Sequence, residues 1–146
     1  MVRYGGGIIR LRQLFRPPER TVPEIWTLWG KTGTGKTRRV WEFADLDSLW
    51  VHPGDRWFDG YDGHPAVLFD DFDGGWFKIS YFLKLIDRYM FQVPVKGGFV
   101  WWVPKTIYIT SNLHPKEWYP NAKEEHQRAL IRRLNEFGHI EECQRY

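Results

Sequence analysis

Three stretches of the chain read as continuous, β-rich apolar runs: Ile25-Trp26-Thr27-Leu28-Trp29, Ala66-Val67-Leu68-Phe69 and Thr106-Ile107-Tyr108-Ile109-Thr110. Runs without polar alternation predict strands buried on both faces. Elsewhere the period changes. Ile79, Phe82, Leu83, Ile86 and Met90 share one face of a helix predicted over residues 80–89. Residues 37–44 are helix-competent, and residues 121–135 predict a second long helix, dense in charge. Residues 92–95 and 99–103 read as two strands around Lys96-Gly97-Gly98, a hairpin signal. Pro53, Gly54, Gly60 and Gly63 make residues 50–63 a loop-rich stretch, and residues 137–143 suit a final strand. From Glu24 onward, strands and helices alternate. That order predicts an α/β fold: a central, mostly parallel β-sheet flanked by helices, with an inserted β-hairpin.

Residues 1–23 differ from this pattern and read as a basic N-terminal segment and linker before a single domain over residues 24–146. Gly5-Gly6-Gly7 is flexible. Ile8, Ile9, Leu11, Leu14 and Phe15 have roughly helical spacing, with Arg10, Arg12 and Arg16 between them. Pro17-Pro18 ends the short amphipathic helix this predicts. Such a segment packs either on its own domain or on a neighbouring subunit.

Composition narrows the class. Nine Trp, ten Phe and seven Tyr supply most of a core, with a few loop aromatics left to stack on bases. The formal charge of +3 permits nucleic-acid binding without requiring it. One cysteine, Cys143, excludes an intrachain disulfide, and the default expectation is a reducing, intracellular compartment. No stretch approaches the ~20 apolar residues of a membrane span, so no membrane partner is expected.

The chemistry begins where the first apolar run ends. Gly30-Lys31-Thr32-Gly33-Thr34-Gly35-Lys36-Thr37 completes the pattern G-x-x-x-x-G-K-[ST], with a strand leading in and a helix leading out. Glycines let successive N–H groups wrap a phosphate, and the helix N-terminus adds partial positive charge. In this pattern Lys36 reaches the β- and γ-phosphates of ATP and the Thr37 hydroxyl ligates Mg²⁺. The fold class becomes that of a P-loop NTPase. Leu68-Phe69-Asp70-Asp71-Phe72 is the second signal: a buried strand ends in two carboxylates at the edge where open α/β sheets bind ligands. Asp70 suits Mg²⁺, and Asp71 suits orienting and activating water. The run Ile107-Tyr108-Ile109-Thr110-Ser111-Asn112 ends another buried strand in polar residues. An amide there can contact the γ-phosphate or position water; alternatively, Ser111 or Asn112 caps a turn.

Two further groups suit partners. Arg128, Arg132 and Arg133 lie on the predicted last helix, where an arginine can reach a neighbouring subunit's nucleotide or form a solvated basic face. Lys96, Gly97 and Gly98 form the hairpin turn, with Lys105 and the Trp101-Trp102 pair nearby. Backbone contact plus stacking grips a single strand without sequence choice.

Taken in order, GKTGTGKT, LFDDF, PVKGGFV, ITSN and ALIRRL resemble the superfamily 3 helicases, and more closely the helicase domain of circovirus- and cyclovirus-type replication-initiator (Rep) proteins. Arg56-Trp57-Phe58-Asp59-Gly60-Tyr61 and His114-Pro115-Lys116-Glu117-Trp118-Tyr119 fit the same resemblance. It covers residues 4–137. It implies an AAA+-like ring ATPase, usually hexameric, with ATP and Mg²⁺ between subunits and single-stranded DNA in a central channel. It also implies work in a host nucleus. Lys36 and Thr37 match the first motif, Asp70 and Asp71 the second, Lys96 the pore-hairpin lysine and Asn112 the sensor asparagine. Arg133 best matches the finger arginine, with Arg132 second.

The resemblance has a gap. Rep proteins carry a nicking endonuclease with paired histidines, whereas His52, His64, His114, His126 and His139 are isolated. The chain is expected not to nick DNA, and it reads as the helicase part of a longer protein or a naturally short relative. Only residues 1–20 are available for the helical collar that precedes such a core. Two other classes compete with a motor: a DNA-binding or oligomerisation module without catalysis, and a small P-loop phosphotransferase.

Overall fold

The apolar runs line up side by side. In the computed structural model, which describes residues 20–144, Trp50, Val67, Ile107 and Ile25 stand opposite one another in neighbouring strands, all buried. In chain order the elements are β1 (Glu24–Trp29), α1 (Lys36–Phe43), β2 (Leu49–Val51), β3 (Ala66–Phe69), α2 (Ile79–Leu85), β4 (Gln92–Val95), β5 (Gly98–Trp101), β6 (Thr106–Ser111), a 3₁₀ turn (Pro115–Glu117), α3 (Glu124–Glu136) and β7 (Gly138–Glu142). Five strands form one sheet in the order β2-β3-β6-β1-β7, every pairing parallel. The antiparallel pair β4-β5 stands apart as the inserted hairpin. Because β6 lies between β1 and β3, the residues following all three strands meet at one edge of the sheet.

Side chains alternate across the sheet, as strand geometry requires. Val67, Phe69, Ile107 and Ile109 join a large cluster under α2 and α3, together with Phe58, Phe72, Phe77, Phe82, Trp102 and Trp118. Leu68 and Tyr108 face the other way, into a smaller cluster with Leu28, Val40 of α1 and Cys143. Burying one large apolar side chain of this kind contributes about 1.5–3 kcal/mol, so the aromatic face dominates the core.

Three features depart from the sequence pattern. The stretch read as loop begins inside β2, whose three residues are too few to show a period. The helix expected over residues 80–89 ends at Leu85. Its last carbonyls are taken by side chains from elsewhere. Arg20 donates to Lys84 O, Leu85 O and Tyr89 O, the Trp102 indole donates to Leu85 O at 2.9 Å, and Arg133 donates to Leu83 O at 2.9 Å. Trp102 is therefore fully buried and cannot be one of the stacking aromatics expected beside the hairpin. The amphipathic helix expected around Ile8 and Phe15 lies outside the described residues.

His52 makes the core sensitive to acid. It is 4% exposed, its ring stacks on Trp76 at 5.2 Å, and Nδ1 accepts the Gly54 N–H. Nε2 has no partner among the described residues. Burial lowers the imidazole from 6.5 to about 4, Asp55 opposing weakly. Between those values the unfolded chain binds a proton that the folded chain refuses, so stability falls as pH falls through the window. The loss reaches about 3 kcal/mol at the acid end. Urea midpoints should drop between pH 7 and pH 4.5, and His52→Phe should remove most of the drop. An undiminished drop in the variant would assign acid sensitivity to other groups.

Candidate nucleotide-binding site

At the end of β1 the chain turns sharply at Gly30. Its φ is 151°, its N–H donates to Ser111 O at 3.0 Å, and a Cβ there would collide with the Cys143 carbonyl. The loop therefore leaves the sheet between the ends of β6 and β7, a path only glycine permits. It closes at Gly35, which holds φ 79° and serves as the N-cap of α1 without a side-chain cap. The first N–H groups of α1 are left without a side-chain acceptor, as an anion-binding helix start requires.

Lys36 is buried. Its ammonium donates to Gly30 O (2.8 Å), Lys31 O (3.0 Å) and Asn112 Oδ1 (3.1 Å). Three N–H donors thus meet these neutral acceptors, with the Thr34 hydroxyl a longer fourth at 3.5 Å. Thr34 is buried beside it, its hydroxyl donating to Lys31 O. Asn112, at the end of β6, reaches the phosphate loop across the sheet edge. Turn capping falls to its neighbour: Ser111 Oγ accepts from Leu113 N and from the Trp118 indole.

The carboxylate pair is set at the end of β3. Asp70 Oδ1 accepts from the hydroxyls of Thr37 and Thr110, each at 2.7 Å. Asp71 adopts φ 59°, a left-handed conformation that aspartate tolerates, and its N–H donates to Thr110 Oγ1 at 2.8 Å. Thr110 therefore fixes the Asp70 carboxylate through its hydrogen and the Asp71 backbone through its oxygen. The sequence reading counted it only as a polar strand end. The missed signal was a threonine at the ligand edge of a strand buried on both faces, where most such hydroxyls find a partner.

The remaining candidates lie elsewhere. Lys96 and Gly97 form the hairpin turn, Gly97 with φ 97°; Gly98 begins β5. Lys96 N donates to Asp59 Oδ1 at 2.7 Å, which ties the turn down while the residue stays exposed. Lys105 is exposed at the N-terminal end of β6, away from the edge that carries Asn112. On α3, Leu130 and Leu134 face the core as their spacing predicts. Arg132 is exposed. Arg133 does not project from the subunit as expected: it turns inward to Leu83 O and pairs with Asp87 at 3.3 Å. Two of its donors are consumed by the end of α2.

The gathered residues coincide with a known pattern. A family model described as RNA helicase matches residues 26–113, from β1 past the Asn112 turn. The chain belongs to this helicase family, which is of the superfamily 3 type. Similar curated proteins are the Replication-associated proteins of goose circovirus (39% identical over 93% of this chain and 45% of that one), beak and feather disease virus (40%, 81% and 40%) and porcine circovirus 2 (41%, 75% and 35%). The chain spans less than half the length of these relatives. The solved Saccharomyces cerevisiae Hsp104–ADP complex is a distant likeness, 15% identical with a TM-score of 0.42 over 88% of this chain and 23% of that one. Among the described residues, no helix is long and apolar enough to cross a membrane, and no three His, Cys, Asp or Glu residues cluster as a metal site.

Proposed function

We propose that this helicase-family chain is the ATP-driven motor of a viral rolling-circle replication initiator, hydrolysing ATP between subunits of a ring and moving along single-stranded DNA. The supporting observation is the bonded set at one sheet edge: Lys36 with Asn112, and Asp70 with Thr37 and Thr110. Structural loops do not need a buried lysine, an amide and an oriented carboxylate together.

The steps follow from these partners. Lys36 exchanges its neutral acceptors for phosphate oxygens, because an ammonium is attracted more strongly to an anion than to a neutral carbonyl or amide. That exchange releases Asn112, whose amide then responds to the phosphate and reports nucleotide state. Thr37 Oγ1 and Asp70 are adjacent hard oxygen donors, the chemistry that suits Mg²⁺, and these two residues would hold the ion. When bound, the ion neutralises charge on the phosphate oxygens. Asp71, held by Thr110 yet exposed, accepts the proton of the attacking water.

ATPase measured across protein concentration, with and without single-stranded DNA, tests this proposal. Turnover per subunit should rise as rings assemble and rise again with DNA. Hydrolysis that needs a small phosphoryl acceptor would instead mark a phosphotransferase, no hydrolysis a binding module, and stimulation by RNA alone a different track. Lys96→Ala should leave basal ATPase intact, stop unwinding and reduce the salt slope of single-strand binding by about 0.7, the loss of one phosphate contact. Wild-type slope and affinity would remove Lys96 from the DNA path.

A further inference from the structure

Beside the hairpin lies a cavity of about 530 Å³, within the ~300–1,000 Å³ range of small-ligand sites. Trp76, Phe77, Tyr81 and Phe99 line it, with Arg56 and Lys78 also in the lining. We propose that this cavity is a stacking subsite for one unpaired base of the single-stranded DNA. The proposal rests on the motor assignment above and deepens it.

Four observations carry it. First, Phe99 is 67% exposed, on β5 just past the Lys96-Gly97 turn. A phenyl ring left in water beside an aromatic cavity is a stacking platform, and base–aromatic stacking does not depend on which base is present. Second, part of the lining is held by the core: Trp76 stacks on His52, and Phe77 is buried within the core cluster. Third, the Tyr81 hydroxyl is buried with no hydrogen-bond partner among the described residues. Burial raises this phenol to about 12, so it stays neutral. Fourth, the lining holds two cations and no carboxylate. Arg56 and Lys78 are both exposed, and the Arg56 guanidinium lies 4.9 Å from the centre of the Trp57 ring. Aromatic walls with exposed cations and no acid suit a nucleotide, whose face stacks and whose phosphate is anionic.

Placement gives the cavity a role. Trp76, Phe77 and Lys78 lie on the stretch running from Asp71 to α2, and Phe99 lies on the hairpin. A base held here touches the segment leaving the catalytic carboxylates and the segment carrying Lys96. Its grip is thereby tied to the nucleotide site through one short loop.

The test uses the full chain, an oligodeoxynucleotide and the same strand with abasic positions. Wild type should prefer the base-bearing strand, and Phe99→Ala should lose roughly five- to a hundredfold of affinity for it while binding the abasic strand as before. Its salt slope and basal ATPase should not move, which also reports an intact fold. Lys96→Ala should do the reverse, lowering the slope and keeping the base preference. If Phe99→Ala keeps full preference while Lys96→Ala still weakens binding, the subsite is refuted and the motor assignment stands. If wild type binds no single strand, both fall. If Phe99→Ala instead alters only the concentration dependence of ATPase, the cavity is a contact between copies and the proposal is overturned. A preference seen only with oligoribonucleotides overturns it as a DNA site.

Discussion

Arg132→Ala is expected to fold, bind ATP and hydrolyse it about 10³–10⁵-fold more slowly, the loss that follows removal of an arginine finger. Arg132 and Arg133 are adjacent in sequence but differ in their surroundings. Arg133 is engaged with Asp87 and Leu83 O, both members of the pair being largely shielded. Arg132 is exposed and lines an open cavity on the outer side of α3 with Ile131, Gln127 and Arg128. An arginine that serves a neighbour's nucleotide must be able to leave its own subunit, and Arg132 meets that condition. Arg133→Ala should mainly cost stability, about 1–3 kcal/mol for leaving a shielded partner unpaired. Action in trans has a distinct signature. Arg132→Ala mixed with Lys36→Ala should recover activity, because mixed rings contain sites with an intact loop on one side and an intact finger on the other. If Arg133→Ala, and not Arg132→Ala, loses turnover and is rescued by mixing, the finger is Arg133.

Asp71→Asn is expected to lower turnover about 10²–10⁴-fold while nucleotide affinity changes little, since an amide keeps the shape and cannot take the proton. The structure makes asparagine the right replacement. Residue 71 holds φ 59°, and asparagine adopts that conformation as readily as aspartate. Its N–H bond to Thr110 is retained, so the backbone stays in place. Asp70→Asn should act differently. Its carboxylate already receives two hydroxyls, and the substitution should raise the Mg²⁺ needed for half-maximal rate. Should Asp71→Asn turn over ATP normally while Asp70→Asn does not, the two roles must be exchanged.

Much of this architecture was legible in the sequence because its strands are buried on both faces. Val67, Leu68, Ile107 and Tyr108 form unbroken apolar runs only when helices cover both sides of a parallel sheet. The loop at Gly30 to Thr37 was legible because its chemistry is local. What escaped was set by contacts distant in sequence. The early end of α2 depends on Arg20, Trp102 and Arg133, more than ten residues away in each case. The inward turn of Arg133 depends on Asp87, on another helix. The task of Thr110 depends on a carboxylate forty residues earlier. Periodicity records which face a residue occupies, and it carries no record of which donor will reach which carbonyl.

The end of α2 is gripped by Arg20 from the N-terminal side, Trp102 from the foot of the hairpin and Arg133 from α3. No one of these can slide past the others without surrendering hydrogen bonds, several of them from a charged donor. The hairpin base, the segment at Arg20 and the helix bearing Arg132 are thus fastened to one point, the end of α2. That point joins the sheet edge through the short connection between Asp71 and Lys78. Loss of any one of the three should therefore be felt at the other two, because all of them depend on the same few carbonyls.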